Sequence, residues 1–111
     1  LTDPIESQVE RFREFTGDLV PIIAQGLGDN WSQVRYAASQ ATRSFYFIIK
    51  GDETMREKYD PILVPRMCMN RYYVAEGVKI YSNDTWRMVH EDKGKEAICK
   101  YAEQVCTFYI S

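Results

Sequence analysis

A single histidine, His90, leaves too few nitrogen ligands for a closed zinc site. Its neighbours Glu91, Asp92 and Cys99 match none of the usual metal-ligand spacings. The expectation at His90 is a solvated helix end, with no metal and no cofactor. A basic surplus is also missing: 14 Lys and Arg stand against 16 Asp and Glu, a formal net charge of −2. Nucleic-acid binders ordinarily carry excess positive charge for phosphate contacts, so this balance argues against them. The three cysteines form no paired framework. Cys99 and Cys106, on one expected helix, lie about 10 Å apart along its axis and cannot bridge each other. Free thiols buried as small apolar groups, and an intracellular site (cytoplasmic or nuclear), are the simpler expectation. No run reaches the roughly 18 apolar residues of a membrane span, and the opening TDPIES is neither signal nor transit peptide. Catalytic constellations are missing too. Glu76 and Asp84 share an expected helix but point in different directions, so paired acid–base work is not expected. Gly26-Leu27-Gly28 follows no strand and precedes no Lys-Ser/Thr pair, which excludes a phosphate loop. The chain reads as a non-enzyme.

What is present is helix-forming pattern. The composition is 45% hydrophobic and 27% charged, enough apolar material to fold one domain. Pro4 to Phe15 set Ile5, Val9, Phe12 and Phe15 at helical spacing, with Asp3 as N-cap and Pro4 in the first turn. Thr16-Gly17-Asp18 interrupts, and Pro21 implies a kink, so residues 4–27 read as one bent helix or two in line. Gly26 to Asn30 is turn chemistry, with Asp29 or Asn30 as cap and Asn30–Gln33 as a capping box. The second helix places Val34, Ala37, Ala38, Ala41, Phe45 and Ile48 on an expected buried stripe. Ser32, Tyr36, Ser39, Arg43, Phe47 and Lys50 take the opposite face.

Gly51-Asp52 breaks the chain and caps ETMREKY, and Asp60-Pro61 reads as the start of a further helix. An internal repeat then emerges. Leu19-Val20-Pro21 returns forty-four residues later as Leu63-Val64-Pro65, each preceded by an aromatic, Phe15 or Tyr59. Shifting the second helix by forty superposes Val34 on Val74, Ala38 on Val78, Ala41 on Tyr81 and Ile48 on Met88. The opposite face becomes Tyr72, Glu76, Lys79, Asn83, Arg87 and His90. After Glu91 to Gly94, a last helix carries Ala97, Ile98, Tyr101, Val105, Phe108 and Tyr109. The expected fold is all-α, without strands.

These residues resemble a HEAT repeat, the two-helix unit of α-solenoids. The likeness lies in the Pro-containing LVPIIAQGL, Asp29 in the turn, and Val34-Arg35 with Ala37-Ala38 in the second helix. It implies an α-solenoid of about two and a half HEAT-like or armadillo-like units in one domain over 1–111: about 4–50, 52–90 and the first helix of a third at 94–110. In that family the turn Asp and Arg tend to form a ladder between units, so Asp29 and Arg35 take a structural role in the turn. The second unit departs, with no Asp in CMNRYY and Ala75 in place of the Arg. A helix pair cannot bury its own apolar face. The chain therefore reads as an excerpt of a longer repeat protein, or one that covers its open end by self-association.

In HEAT solenoids the second helices commonly line the inner curve, and Tyr, Trp and Arg are residue types that anchor interfaces. The expected function is a protein–protein scaffold or adaptor, with Tyr36, Arg43, Tyr72, Glu76, Lys79, Asn83 and Arg87 as the contact surface, and Lys50 and Trp86 nearby. The partner is a protein. The alternative is a nucleic-acid-binding HEAT-like domain using Arg43, Lys50, Lys79, Arg87 and the aromatics.

Overall fold

The computed structural model describes residues 4–103, and the side chains of 11 and 14–103. Asp3 as cap, the stripe at Ile5, Val9 and Phe12, and Val105, Cys106, Phe108 and Tyr109 of the last helix lie outside the described residues. The described elements are helical: α1 (Pro4–Leu27), α2 (Ser32–Ile48), α3 (Glu53–Asn70), α4 (Glu76–His90), a 3-10 turn (Glu91–Lys93) and α5 (Gly94–Lys100). No strand occurs among the described residues, and none of their helices is long and apolar enough to cross a membrane.

Residues 4–27 form one helix, the first of the two forms expected, and the helix start expected at Asp60-Pro61 is absent. Helix α1 runs through Gly17 and Pro21, and α3 runs through Pro61 and Pro65. A proline leaves the carbonyl four residues earlier without its amide partner. Those residues are Gly17, Glu57 and Pro61, all exposed, so water can take each carbonyl. Burial of Val20, Leu27, Leu63 and Val64 then holds the helices together through the prolines. Asp60 caps nothing: its carboxylate accepts from the Tyr46 hydroxyl at 2.7 Å and pairs with Arg56 at 3.2 Å. Burial, and then that carboxylate, push the Tyr46 phenol's pKa upward. Asp52 does cap, accepting from the Met55 amide at 3.1 Å, after Gly51 has turned the chain at φ +87°.

The helices pack in two layers, α1 beside α3 and α2 beside α4, with α1 also against α2 and α3 against α4. Helix α5 rests on α3 and α4. Layers meet closely at Gly26, where an added Cβ would fall 2.8 Å from that of Ala38. Phe45 fills the centre, edge-on to Tyr46 and Tyr59 with centroids 5.6 Å away in each case. Among the contacts that tie the first helix pair to the second, three join residues 43 apart: Thr16 with the Tyr59 hydroxyl, Asn70 to the Leu27 carbonyl, and the Tyr73 hydroxyl to the Asn30 carbonyl.

The buried stripes of α2 and α4 sit one position along from the expected ones. In α2 the buried residues are Ala38, Ser39, Thr42, Phe45 and Tyr46, while Val34, Ala37 and Ile48 are exposed, Ile48 at 61%. In α4 they are Val78, Ser82, Thr85, Trp86 and His90, leaving Val74 and Met88 exposed. Hydroxyls explain the shift. Ser39, Thr42 and Thr85 donate to carbonyls four residues back at 2.8, 2.7 and 3.0 Å, which lets short polar side chains line a helix contact.

Ser82 is the exception, since its buried Oγ has no partner among the described residues. It faces a void of about 10 Å³ shared with Leu27, Thr42, Met67 and Thr85. A buried hydroxyl without a partner costs about 1 kcal/mol or more. Ser82→Ala should therefore raise unfolding stability by about 1 kcal/mol in urea titrations. A loss of stability in that variant would mean that the hydroxyl is satisfied after all.

Candidate interaction surface

The outward side of α2 and α4 holds the expected contact residues, but they do not all point outward. Arg43 turns into the seam between the two helices. Its Nε donates to Thr85 Oγ1 at 2.8 Å, its Nη2 to the Tyr81 carbonyl at 3.0 Å, and its Cζ lies 3.6 Å from the Tyr81 ring centroid. Tyr36 is half-buried against the same ring, with centroids 5.1 Å apart. Asn83 is half-buried as well, its amide shared between the carbonyls of Arg71 at 3.3 Å and Lys79 at 2.9 Å. It ties α4 to the turn before it.

Tyr72, Glu76, Lys79 and Arg87 are exposed. Arg87 pairs with Asp84 at 3.1 Å, and the Tyr72 hydroxyl accepts from Arg71 at 3.2 Å. Trp86 belongs to the core rather than the surface. Its indole lies under the Arg71 guanidinium at 4.5 Å and against the His90 ring at 4.2 Å.

Arg35 and Asp29 meet in the first turn, but not as an ion pair. Arg35 Nε donates to the Asp29 carbonyl at 3.0 Å, while the Asp29 carboxylate accepts from the Trp31 amide at 2.8 Å. Trp31 is the N-cap of α2 and carries no side-chain cap bond, so the Asn30–Gln33 capping box does not form. The other arm of Arg35 donates to Asn70 Oδ1 at 2.9 Å, and the guanidinium covers the Tyr73 ring at 4.0 Å. Arg35 thus reaches from the first turn to the second.

Two features of this region were not legible as such in the sequence. One is a solvent-open groove of about 400 Å³ at the C-terminal ends of α2 and α4, lined by residues including Arg43, Phe47, Lys50, Arg56, Met88 and Glu91. Phe47 is 73% exposed and Met88 57%, so the groove has apolar walls beside its cations. The other is His90, which is not a solvated helix end but 7% exposed. Burial, followed by the nearby Arg56 and Arg71 charges, pushes its pKa down to about 4, against the opposing pull of Asp60. Its neighbourhood opens on a cleft of about 180 Å³ that also takes in Asp60, Lys93, Glu96 and Lys100.

Cys68 is buried and free, but Cys99 is exposed, against the expectation of buried thiols. Among the described residues no three His, Cys, Asp or Glu come together to hold a metal. Comparison with family models, curated proteins and solved structures finds no match to this chain.

Proposed function

We propose that the chain is a protein-interaction module, a scaffold or adaptor assembled from stacked HEAT-like helix pairs. The observation that carries this reading is the outward face of α2 and α4. It leaves Phe47 and Met88 exposed in one groove, beside Arg43 and Lys50. Large apolar side chains grouped with arginine suit protein contact rather than solvent. The layering of α1 on α3 and α2 on α4 supports the solenoid part of the reading, as does the 43-residue spacing shared by three of the contacts between pairs. Phe15 and Ile22 on α1 and Val34 and Ile48 on α2 are exposed, apolar surface that a further helix pair could cover.

The nucleic-acid alternative loses ground at its own residues. Arg87 is paired with Asp84 and Arg43 keeps only one edge of its guanidinium outside the helix seam, so the expected basic row is interrupted. A peptide-display selection against the folded chain separates the two readings. The expected result is enrichment of peptides that no longer bind after Phe47→Glu with Met88→Glu. No enrichment, together with salt-dependent retention on DNA or RNA that Arg43→Glu and Arg87→Glu abolish, would overturn the proposal.

A further inference from the structure

We infer that the groove between the C-terminal ends of α2 and α4 takes an acidic peptide segment anchored by one bulky apolar side chain; this rests on the protein-binding reading above. The chain as a whole is slightly acidic, at −2, yet this groove gathers Arg43, Lys50 and Arg56 against the single acid Glu91. Arg56 already faces the carboxylate of Asp60. Arg43 does not face one. Among the described residues every partner it has is neutral: a hydroxyl, a carbonyl and an aromatic ring. Those bonds use Nε and one hydrogen of Nη2, which leaves Nη1 and the remaining Nη2 hydrogen for an incoming carboxylate, the paired geometry that guanidinium favours. Because Thr85 and Tyr81 already fix its orientation, little ordering is left to do when such a group arrives.

Phe47 and Met88 stand exposed on the α2 and α4 sides of the same groove. A flexible thioether opposite an aromatic ring suits a bulky apolar side chain of variable shape. The C-terminal ends of both helices work against an anion, but that field fades within the last turn. Lys50 lies just beyond the end of α2, where it opposes the field, and Arg43 lies more than a turn inside. A nucleic acid would present phosphates at regular intervals and meet the acids Glu76 and Asp84 along α4. A peptide needs only one charged contact and one anchor.

Fluorescence anisotropy with a labelled Glu/Asp-rich peptide carrying a central Leu or Trp tests this. Expected is saturable, salt-sensitive binding, weakened about tenfold by Lys50→Glu and about tenfold by Phe47→Ala. Both residues are exposed, so these variants should keep the fold, which circular dichroism checks. Arg43→Lys keeps the charge but loses the fork, and should also weaken binding. Equal affinity for the Lys-rich counterpart, or wild-type affinity in both Lys50→Glu and Phe47→Ala, would overturn the inference. Binding only of neutral or basic peptides from the display selection would overturn it and leave the interaction module standing. Absence of any peptide binding would overturn both, and tighter binding of an oligonucleotide at the same residues would assign the groove to nucleic acid.

Discussion

Asn70→Leu should lower unfolding stability by about 2 kcal/mol, the cost of leaving the buried Leu27 carbonyl without a donor and one arm of Arg35 without its acceptor, while the Arg66 carbonyl keeps its helical amide. Asn70 is 1% exposed. Its Nδ2 donates to the Leu27 carbonyl at 3.0 Å and the Arg66 carbonyl at 2.8 Å, while its Oδ1 accepts from Arg35 at 2.9 Å. Only this orientation of the amide satisfies all three, because carbonyls need a donor and guanidinium needs an acceptor. One side chain thereby closes the end of α1, its own helix and the first turn. Leucine keeps the volume and removes every bond. Asn70→Asp separates the contributions: it offers Arg35 a stronger acceptor but turns carboxylate oxygens toward two carbonyls. If the carbonyls dominate, Asp will be about as damaging as Leu at pH 7; if the Arg35 link dominates, Asp will be mild. Guanidinium-chloride titrations of both variants read the result. A loss below about 1 kcal/mol in Asn70→Leu would show that solvent reaches these groups.

That residue also marks where sequence reading stops. The helical pattern, the turn at Gly26 to Asn30 and the cap at Asp52 follow from local chemistry, and so does the recurrence of Leu-Val-Pro. Asn70 was only part of a turn that lacked the family's Asp, because its role depends on two carbonyls that are remote or geometric. The phase of α2 and α4 was misread for a related reason. Ser39, Thr42, Ser82 and Thr85 count as polar in any periodicity, yet three of them satisfy their hydroxyls on their own helix and pack inward. The apolar residues displaced by that rotation, Val34, Ile48 and Met88, then reach the surface. Pro61 misled in the opposite direction: a helix start was expected there, but a helix tolerates a lost bond where the freed carbonyl is wet.

The contact surface was legible as a set of residue types but not as a set of directions. Tyr72, Glu76, Lys79 and Arg87 are exposed, whereas Tyr36, Arg43 and Asn83 are partly spent on holding α2 and α4 in place. A charged side chain on an amphipathic helix does not announce whether it will meet solvent or a neighbouring helix. Arg43 does both kinds of work only because its partners in the seam are neutral.

The largest pH effect is expected at His90. Its pKa is held near 4 in the folded chain, against 6.5 when unfolded. The unfolded chain therefore binds the additional proton between those values, and stability rises with pH across that window. The contribution is complete above about pH 6.5, falls as the pH drops, and is lost below about pH 4, a swing of about 3 kcal/mol. The charges facing the ring come from every side: Arg56 and Asp60 on α3, Arg71 in the following turn, and Lys93, Glu96 and Lys100 around the adjoining cleft. The quantity to read is the difference between wild type and a His90 variant, in which the other groups cancel. His90→Leu suits this purpose, because Nε2 has no hydrogen-bond partner to lose and the ring's packing on Trp86 is largely apolar. At pH 7 the variant should lie close to wild type, and between pH 4 and 6.5 it should become progressively the more stable of the two. Denaturant titrations followed by tryptophan fluorescence at several pH values make the comparison. An unchanged difference across the window would mean that the imidazole takes up its proton without leaving the core, and that burial does not set its charge state.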